Sequence, residues 1–338
     1  MIITKTPFRM SFFGGGTDMP NFFNEYGGAV LSTTFDKYCY VNVRHLPPFF
    51  DYTTEVCYAR TERVSSVDGI EHPLVRNAMK MLDMHELRIT YEADLPARTG
   101  LGTSSSFAVG LLHAFHCLKG QYADKRSLAD EAIHLERTLC DEAGGWQDQI
   151  AASFGGFNRI NFSSDGYEVD RLIISPERKK KLNDSLLLYF TGFTRLSAQI
   201  QQETNAHIKD KITQLKEMLS LVDVAEKVLV SRDADMDDFG RLLDETWKLK
   251  RQTGARISTD SIDGLYAKAI KSGALGGKLL GAGGGGFLLF YVRPEDRERV
   301  MRAMNGLLHV PFEFENGGTK VVYYSPETYD VAVSREKS

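Results

Sequence analysis

The sequence predicts a chain of mixed α and β structure in two domains, and three observations carry that expectation. Its 338 residues suffice for two cores, and 42% hydrophobic, 11% aromatic and 25% charged residues are the proportions of an ordinary globular protein. Strand-like alternation and helix-like periodicity interleave along both halves. Three glycine-rich junctions, at residues 6–23, 95–106 and 278–292, are more than turns alone explain.

In chain order, residues 29–43 alternate and are rich in Val, Tyr and Thr, which predicts strand, as do residues 87–91 just before the second glycine junction. A helix follows, because Phe107, Leu111, Phe115 and Leu118 recur at helical spacing. Leu128, Ala132, Leu135 and Leu139 mark a second helical face, and Ile208, Ile212, Leu215, Leu219 and Val222 a third that is too short to demand a coiled coil. Residues 236–253 and 261–272 read as helices, then 287–292 and 320–324 as strands. The basic run from Arg178 to Lys181, beside Asn183 and Asp184, reads as a solvated connector. It divides the chain into an expected N-terminal domain, 1–180, and a C-terminal domain, 181–338, with the glycine run 281–286 in the latter.

Composition also excludes. A net charge of −4 gives no general attraction to nucleic acid or an anionic membrane, so a bound phosphate has to be held by local groups. There is no G-x-x-x-x-G-K-[ST] loop, and the glycines at 281–286 run into FLLFYV, a strand, where a dinucleotide fingerprint requires a helix. Cys39, Cys57, Cys117 and Cys140 lack metal-site spacing and read as free thiols of a reducing cytoplasm. Neither a signal-peptide apolar region nor a membrane-length apolar run is present, so the expected location is the cytoplasm.

The stretch LPARTGLGTSSSFAVGLLHAF, residues 95–115, is the most informative. Gly100 and Gly102 let backbone N–H groups approach an anion. Thr103, Ser104, Ser105 and Ser106 add hydroxyls, and the following helix contributes the partial positive charge of its N-terminus. An ordinary serine-capped helix reads the same way from these residues alone. Two acids stand out downstream in ERTLCDEAGGWQDQIAASFGG. Glu136, next to the apolar Leu135, can flank a buried helix face, and Asp148 follows a Gly-Gly pair. Taken singly, the first also reads as a solvated charge and the second as a helix cap.

Together, PFRMSFFGGGTD, the 95–106 loop and KLLGAGGGGF resemble the three motifs of the galactokinase, homoserine kinase, mevalonate kinase and phosphomevalonate kinase superfamily, in order and spacing and over nearly the whole chain. The resemblance implies the two-domain α+β fold of small-molecule kinases and phosphoryl transfer from ATP with Mg²⁺. It assigns nucleotide contacts to Gly100, Leu101, Gly102, Thr103, Ser104 and Ser105. It makes Asp148 the catalytic aspartate, taking the acceptor proton or orienting the hydroxyl, with Arg9 beside it, able to stabilise charge on the transferring group. It makes Glu136 and Ser104 the metal ligands, a donor set suited to a cation that keeps water and phosphate oxygens.

The same matches place Asp18, Gly16 and Thr17 against substrate hydroxyls, although Asp18 also reads as a cap for a helix beginning near Met19. Within the superfamily the motifs are most similar to bacterial heptose kinases, which implies the anomeric hydroxyl of D-glycero-D-manno-heptose 7-phosphate as acceptor. Fucose-type and galactose-type kinases, and a non-catalytic sugar-binding regulator, are the alternatives. Galactose kinases carry G-E-H-T-D where this chain has Gly14, Gly15, Gly16, Thr17 and Asp18, a change that opens room for a larger sugar. A distal phosphate needs cations: Arg195 is the first candidate and Lys250 and Lys278 the others, each of which also reads as solvent-facing.

Overall fold

The computed structural model describes residues 1–97, 99–192, 211–254, 257–281 and 283–326. Arg195 and Ile208 lie outside the described residues. In chain order the strands are β1 (Ile2–Phe13), β2 (Gly28–His45), β3 (Thr54–Cys57), β4 (Thr61–Val64), β5 (Leu87–Ala93), β6 (Asn158–Ser163), β7 (Gly166–Arg171), β8 (Leu186–Phe190), β9 (Ala274–Leu279), β10 (Phe287–Val292), β11 (Leu308–His309), β12 (Phe314–Glu315) and β13 (Lys320–Tyr324). The helices are α1 (Pro20–Tyr26), α2 (Pro73–Met81), α3 (Thr103–Leu118), α4 (Lys125–Ile133), α5 (Gln147–Phe154), α6 (Pro176–Asp184), α7 (Ile212–Val230), α8 (Asp237–Gln252), α9 (Asp260–Lys271) and α10 (Arg297–Ala303).

Among the described residues the strands form a nine-stranded sheet, with the path β13-β1-β2-β5-β3-β4 and β6, β7 and β12 attached through β2, and a four-stranded sheet ordered β11-β8-β10-β9. The mixed α+β class expected from the sequence is what is observed. Along β1, Phe8, Met10 and Phe12 fill the core while the alternate residues Arg9 and Ser11 line a cavity, the period-two arrangement of a strand. A register shift between Pro7 and Phe8 falls where proline removes a ladder N–H, one residue before Arg9.

Helix α3 lies directly on this sheet. A Cβ at Gly110 would come within 2.8 Å of Thr6 Oγ1, and Thr4 Oγ1 donates to the Gly110 carbonyl at 2.8 Å. A mid-helix glycine costs about 1 kcal/mol relative to alanine, but here it permits the close approach that fixes the helix axis. In the second sheet, a Cβ at Gly276 would meet the Gly240 carbonyl at 1.9 Å, so α8 presses just as closely onto β9.

Two local expectations are corrected. The run at 178–181 belongs to α6: Pro176 occupies the first turn, and Ser175 Oγ accepts from the Arg178 N–H at 3.3 Å. Cap and proline start a helix that buries Leu182 and Asn183, so the run expected to be a connector is helical. Strands β12 and β13, from the far end of the chain, pair with β2 and β1 and so join the first sheet. Leu139 does not share the face of Leu128, Ala132 and Leu135, because α4 passes into a π turn, His134–Leu139, and the wider turn leaves Leu139 39% exposed. Among the described residues no helix is long and apolar enough to cross a membrane.

Candidate active site

The loop before α3 has the conformation that its glycines permit. Gly100 and Gly102 have φ of +82° and +72°, and Gly102 is the N-cap of α3. The Arg9 N–H donates to the Leu101 carbonyl at 3.1 Å, so the loop is pinned to β1. On the other side the third glycine run closes in. A Cβ at Gly281 would lie 2.2 Å from the Gly100 Cα, and one at Gly286 2.2 Å from the Thr99 carbonyl. Beyond this junction opens a cavity of about 830 Å³, into which the α3 N-terminus, Arg9, Asp18, Glu136, Asp148 and Lys250 all project. Its far wall includes Tyr58, His72, Tyr91 and Phe107, packed edge to face. No motif or spacing in the sequence marks these four side chains as a group.

Arg9 is buried at 4% exposure and holds two parts of the site at once. Its Nε and Nη2 donate to Asp148 Oδ1 at 2.8 and 2.7 Å, while Nη1 donates to the Gly100 carbonyl at 2.7 Å. Asp148, in the first turn of α5, is thereby fixed against the phosphate-type loop, its Cβ within 3.5 Å of where a Gly102 side chain would begin.

Asp18 does not cap α1, whose N-cap Met19 makes no side-chain bond. Its carboxylate accepts from the Gly16 N–H at 3.0 Å and the Gln147 N–H at 3.3 Å. Burial, and then the negative charge of Asp148, push its pKa above the ordinary carboxylate value. Gly16 lines the cavity, but Thr17 corrects the expectation: its hydroxyl donates to the carbonyls of Gly14 and Ala29 at 2.8 and 2.9 Å and is fully buried. It locks the turn and cannot meet a substrate.

The π turn carries Glu136 into the interior at 1% exposure. Ser105 Oγ and Gln149 Nε2 donate to its Oε2 at 2.6 and 2.5 Å, and Ser104 Oγ donates to Oε1 at 2.7 Å. One carboxylate oxygen is thus tethered by two inward donors, while the other meets the hydroxyl of exposed Ser104 at the cavity edge. This corrects the hydroxyl series. Ser105 Oγ is bonded to Glu136 as Ser104 Oγ is, whereas buried Ser106 donates to the Pro7 carbonyl at 2.9 Å and does not line the cavity. Gln149 was not foreseen; only its place beside Asp148 pointed to it. No group of three metal-ligating His, Cys, Asp or Glu side chains exists among the described residues, so a cation at Glu136 and Ser104 would draw most ligands from phosphate and water oxygens. That is the hard-oxygen set Mg²⁺ prefers.

The two lysines are not solvent-facing. Lys278, 2% exposed on β9, donates to the Phe12 carbonyl at 2.7 Å, and burial drives its pKa well down. Lys250, at the end of α8, donates to the Gly281 carbonyl. Burial, then the neighbouring charge of Arg9, lowers it to about 8.

Residues 73–156 match the GHMP kinases N terminal domain, and residues 225–309 the GHMP kinases C terminal. The chain is 30% identical, over 90% of its length and 93% of the relative's, to the D-glycero-alpha-D-manno-heptose 7-phosphate kinase of Campylobacter jejuni. Among solved structures it is similar to a D-glycero-D-manno-heptose 1-phosphate kinase from Bacteriodes thetaiotaomicron (TM-score 0.70, 28% identity, 96% of this chain and 100% of that one). A galactokinase from Lactococcus lactis, solved with galactose, shares the fold at 15% identity (TM-score 0.71, 94% of each chain).

Proposed function

The chain belongs to the GHMP kinases and is an ATP-dependent sugar kinase, and from that premise we propose that its acceptor is the anomeric C1 hydroxyl of D-glycero-D-manno-heptose 7-phosphate. The observation that carries the reading is the Arg9–Asp148 pair, set between the α3 loop and Asp18 in one cavity. A polyol fits Asp18, which can accept from two hydroxyls. The C1 oxygen then faces Asp148 at the end of the loop that holds the nucleotide phosphates. Asp148 takes the C1 proton as the oxygen bonds to the terminal phosphorus and the β,γ-bridging P–O bond breaks, releasing ADP. Arg9, already bonded to Gly100, neutralises charge as it builds on the phosphoryl oxygens.

Glu136 and Ser104 are the residues proposed to hold Mg²⁺, which when bound would neutralise charge on the nucleotide phosphates. Ser105 and Gln149 keep the carboxylate in place for it. Arg195, which lies outside the described residues, is the cation proposed for the sugar's distal phosphate. A division of the chain near residue 180, with strands β12 and β13 added to the first unit, and a cytoplasmic location complete the proposal.

The test is ADP release with Mg·ATP against heptose 7-phosphate, unphosphorylated heptose, fucose, galactose, mannose, mevalonate and homoserine. Turnover on the heptose phosphate, abolished by Asp148→Asn, is the expected result. Turnover only on a free hexose would replace the acceptor. Saturable sugar binding without ADP release would leave a regulator.

A further inference from the structure

Two lysines, the buried Lys278 and the half-buried Lys250, line the cavity, and the mechanism above uses neither. They differ in what they can do. The Lys278 ammonium position is occupied by its bond to Phe12, which ties β9 to β1, and it lies against Arg9 and Lys250, so a neutral amine suits it. Lys250 has backbone carbonyls as its bonded partners, Gly281 and, at 3.5 Å, Leu279, and no carboxylate pairs with it among the described residues. A buried cation without a counterion is costly unless a ligand supplies the negative charge.

Its place says which charge. Gly281 is the residue that lies against Gly100, and Gly100 is the residue whose carbonyl Arg9 holds. Lys250, Gly281, Gly100, Arg9 and Asp148 therefore form one unbroken run of contacts around the mouth of the α3 loop. Arg9 shares its charge with Asp148, whereas Lys250 approaches the same point from the opposite sheet with no carboxylate paired to it among the described residues. We infer that Lys250 is a further catalytic residue, its ammonium meeting the terminal phosphoryl group of the nucleotide across from Arg9. It keeps its protons throughout: the acceptor proton goes to Asp148, the new P–O bond forms, the β,γ-bridging bond breaks, and Lys250 shares hydrogen bonds with oxygens that carry the charge.

This rests on the kinase reading, but its test does not need the acceptor. Equilibrium binding of the β,γ-imido analogue of ATP and of ADP is measured for wild type, Lys250→Met and Lys250→Arg, all with Mg²⁺. The expected result is that Lys250→Met lowers analogue affinity about tenfold or more relative to ADP, and that Lys250→Arg restores most of it. In turnover, kcat falls about a hundredfold in Lys250→Met with the preference for phosphorylated over free sugar unchanged. Wild-type kcat declines as pH rises through about 8, and Lys250→Arg removes that decline; Arg9, Asp18 and Lys278 are the charged groups that face Lys250 and set where it titrates.

An unchanged analogue-to-ADP ratio with a lost preference for phosphorylated sugar would overturn the inference in favour of the acceptor's own phosphate. Unchanged ratios of both kinds would leave a structural lysine and overturn it equally. Should Lys250→Met not fold, the Lys250→Arg ratio and pH profile decide. A wild type that binds the analogue yet phosphorylates no sugar would fail the acceptor reading, while the nucleotide ratio still judges Lys250.

Discussion

A Cβ at Gly145 would stand 1.9 Å from Asp18 Oδ2, so the acid proposed to meet the sugar rests directly on a residue that must have no side chain. The backbone of the same loop also donates to Asp18, from Trp146 N–H to its carbonyl at 3.2 Å and from Gln147 N–H to its carboxylate. Gly145→Ala is expected to push that carboxylate out of place and raise the KM for the sugar about tenfold or more, with affinity for the ATP analogue nearly unchanged. Steady-state kinetics beside equilibrium nucleotide binding checks this; parallel losses in both would point to a collapsed loop.

Asp148→Asn keeps the size of the side chain and one acceptor for Arg9, but cannot take a proton. We expect kcat to fall by about 10²–10⁴ with sugar KM changed little. Turnover within a few-fold of wild type would remove Asp148 from the chemistry.

Gln149 touches Glu136 and not the reacting atoms, so it is a positioning residue. Gln149→Leu deletes the 2.5 Å bond to Oε2 and leaves Ser105 alone to hold that oxygen. The concentration of Mg²⁺ for half-maximal rate should rise about tenfold, as for other groups that orient a ligand, while sugar KM stays put. Direct Mn²⁺ binding in the presence of ADP provides a second readout; an unaltered metal requirement would count Gln149 as core packing only.

Asp18 ties function to stability with a definite sign. Its pKa is raised in the folded protein by burial and by Asp148, so folding favours its protonated form, and stability falls as pH rises through that raised value. Asp18→Asn should therefore melt higher than wild type at pH 7, even as sugar turnover collapses. The gap should close as pH falls below the ordinary aspartate value of 3.8, where the acid becomes neutral in both folded and unfolded chains. Calorimetry at several pH values tests it, and a lower melting point at pH 7 would contradict the argument.

Much of the site was legible because its residues sit in short, ordered motifs. Arg9, Asp18, the 100–104 loop and Asp148 come together as the resemblance implied. What stayed hidden depends on contacts distant in sequence or on backbone irregularity. Thr17 and Ser105 have the right residue types, yet one closes a turn against Ala29 and the other serves Glu136. The π turn that carries Glu136 inward also expels Leu139, and a strict helical period cannot show an extra residue in a turn. The 178–181 basic run looked like a connector because its charges dominate, while the signals that start a helix, Ser175 and Pro176, stand just before it. No local pattern could have told that 320–324 would pair with the first strand.

That last pairing has a bearing on how the protein is made. β1 and β13 are neighbours in one sheet although they are far apart in sequence, joined also by Thr6 and Thr319 hydroxyls 2.9 Å apart and 313 residues distant along the chain. The sheet that carries Arg9 cannot seal this edge until β13 has been made and has folded back onto it. Until then β1 presents a bare edge, open to pairing with another copy, so a chain cut between β12 and β13 keeps an unsealed sheet.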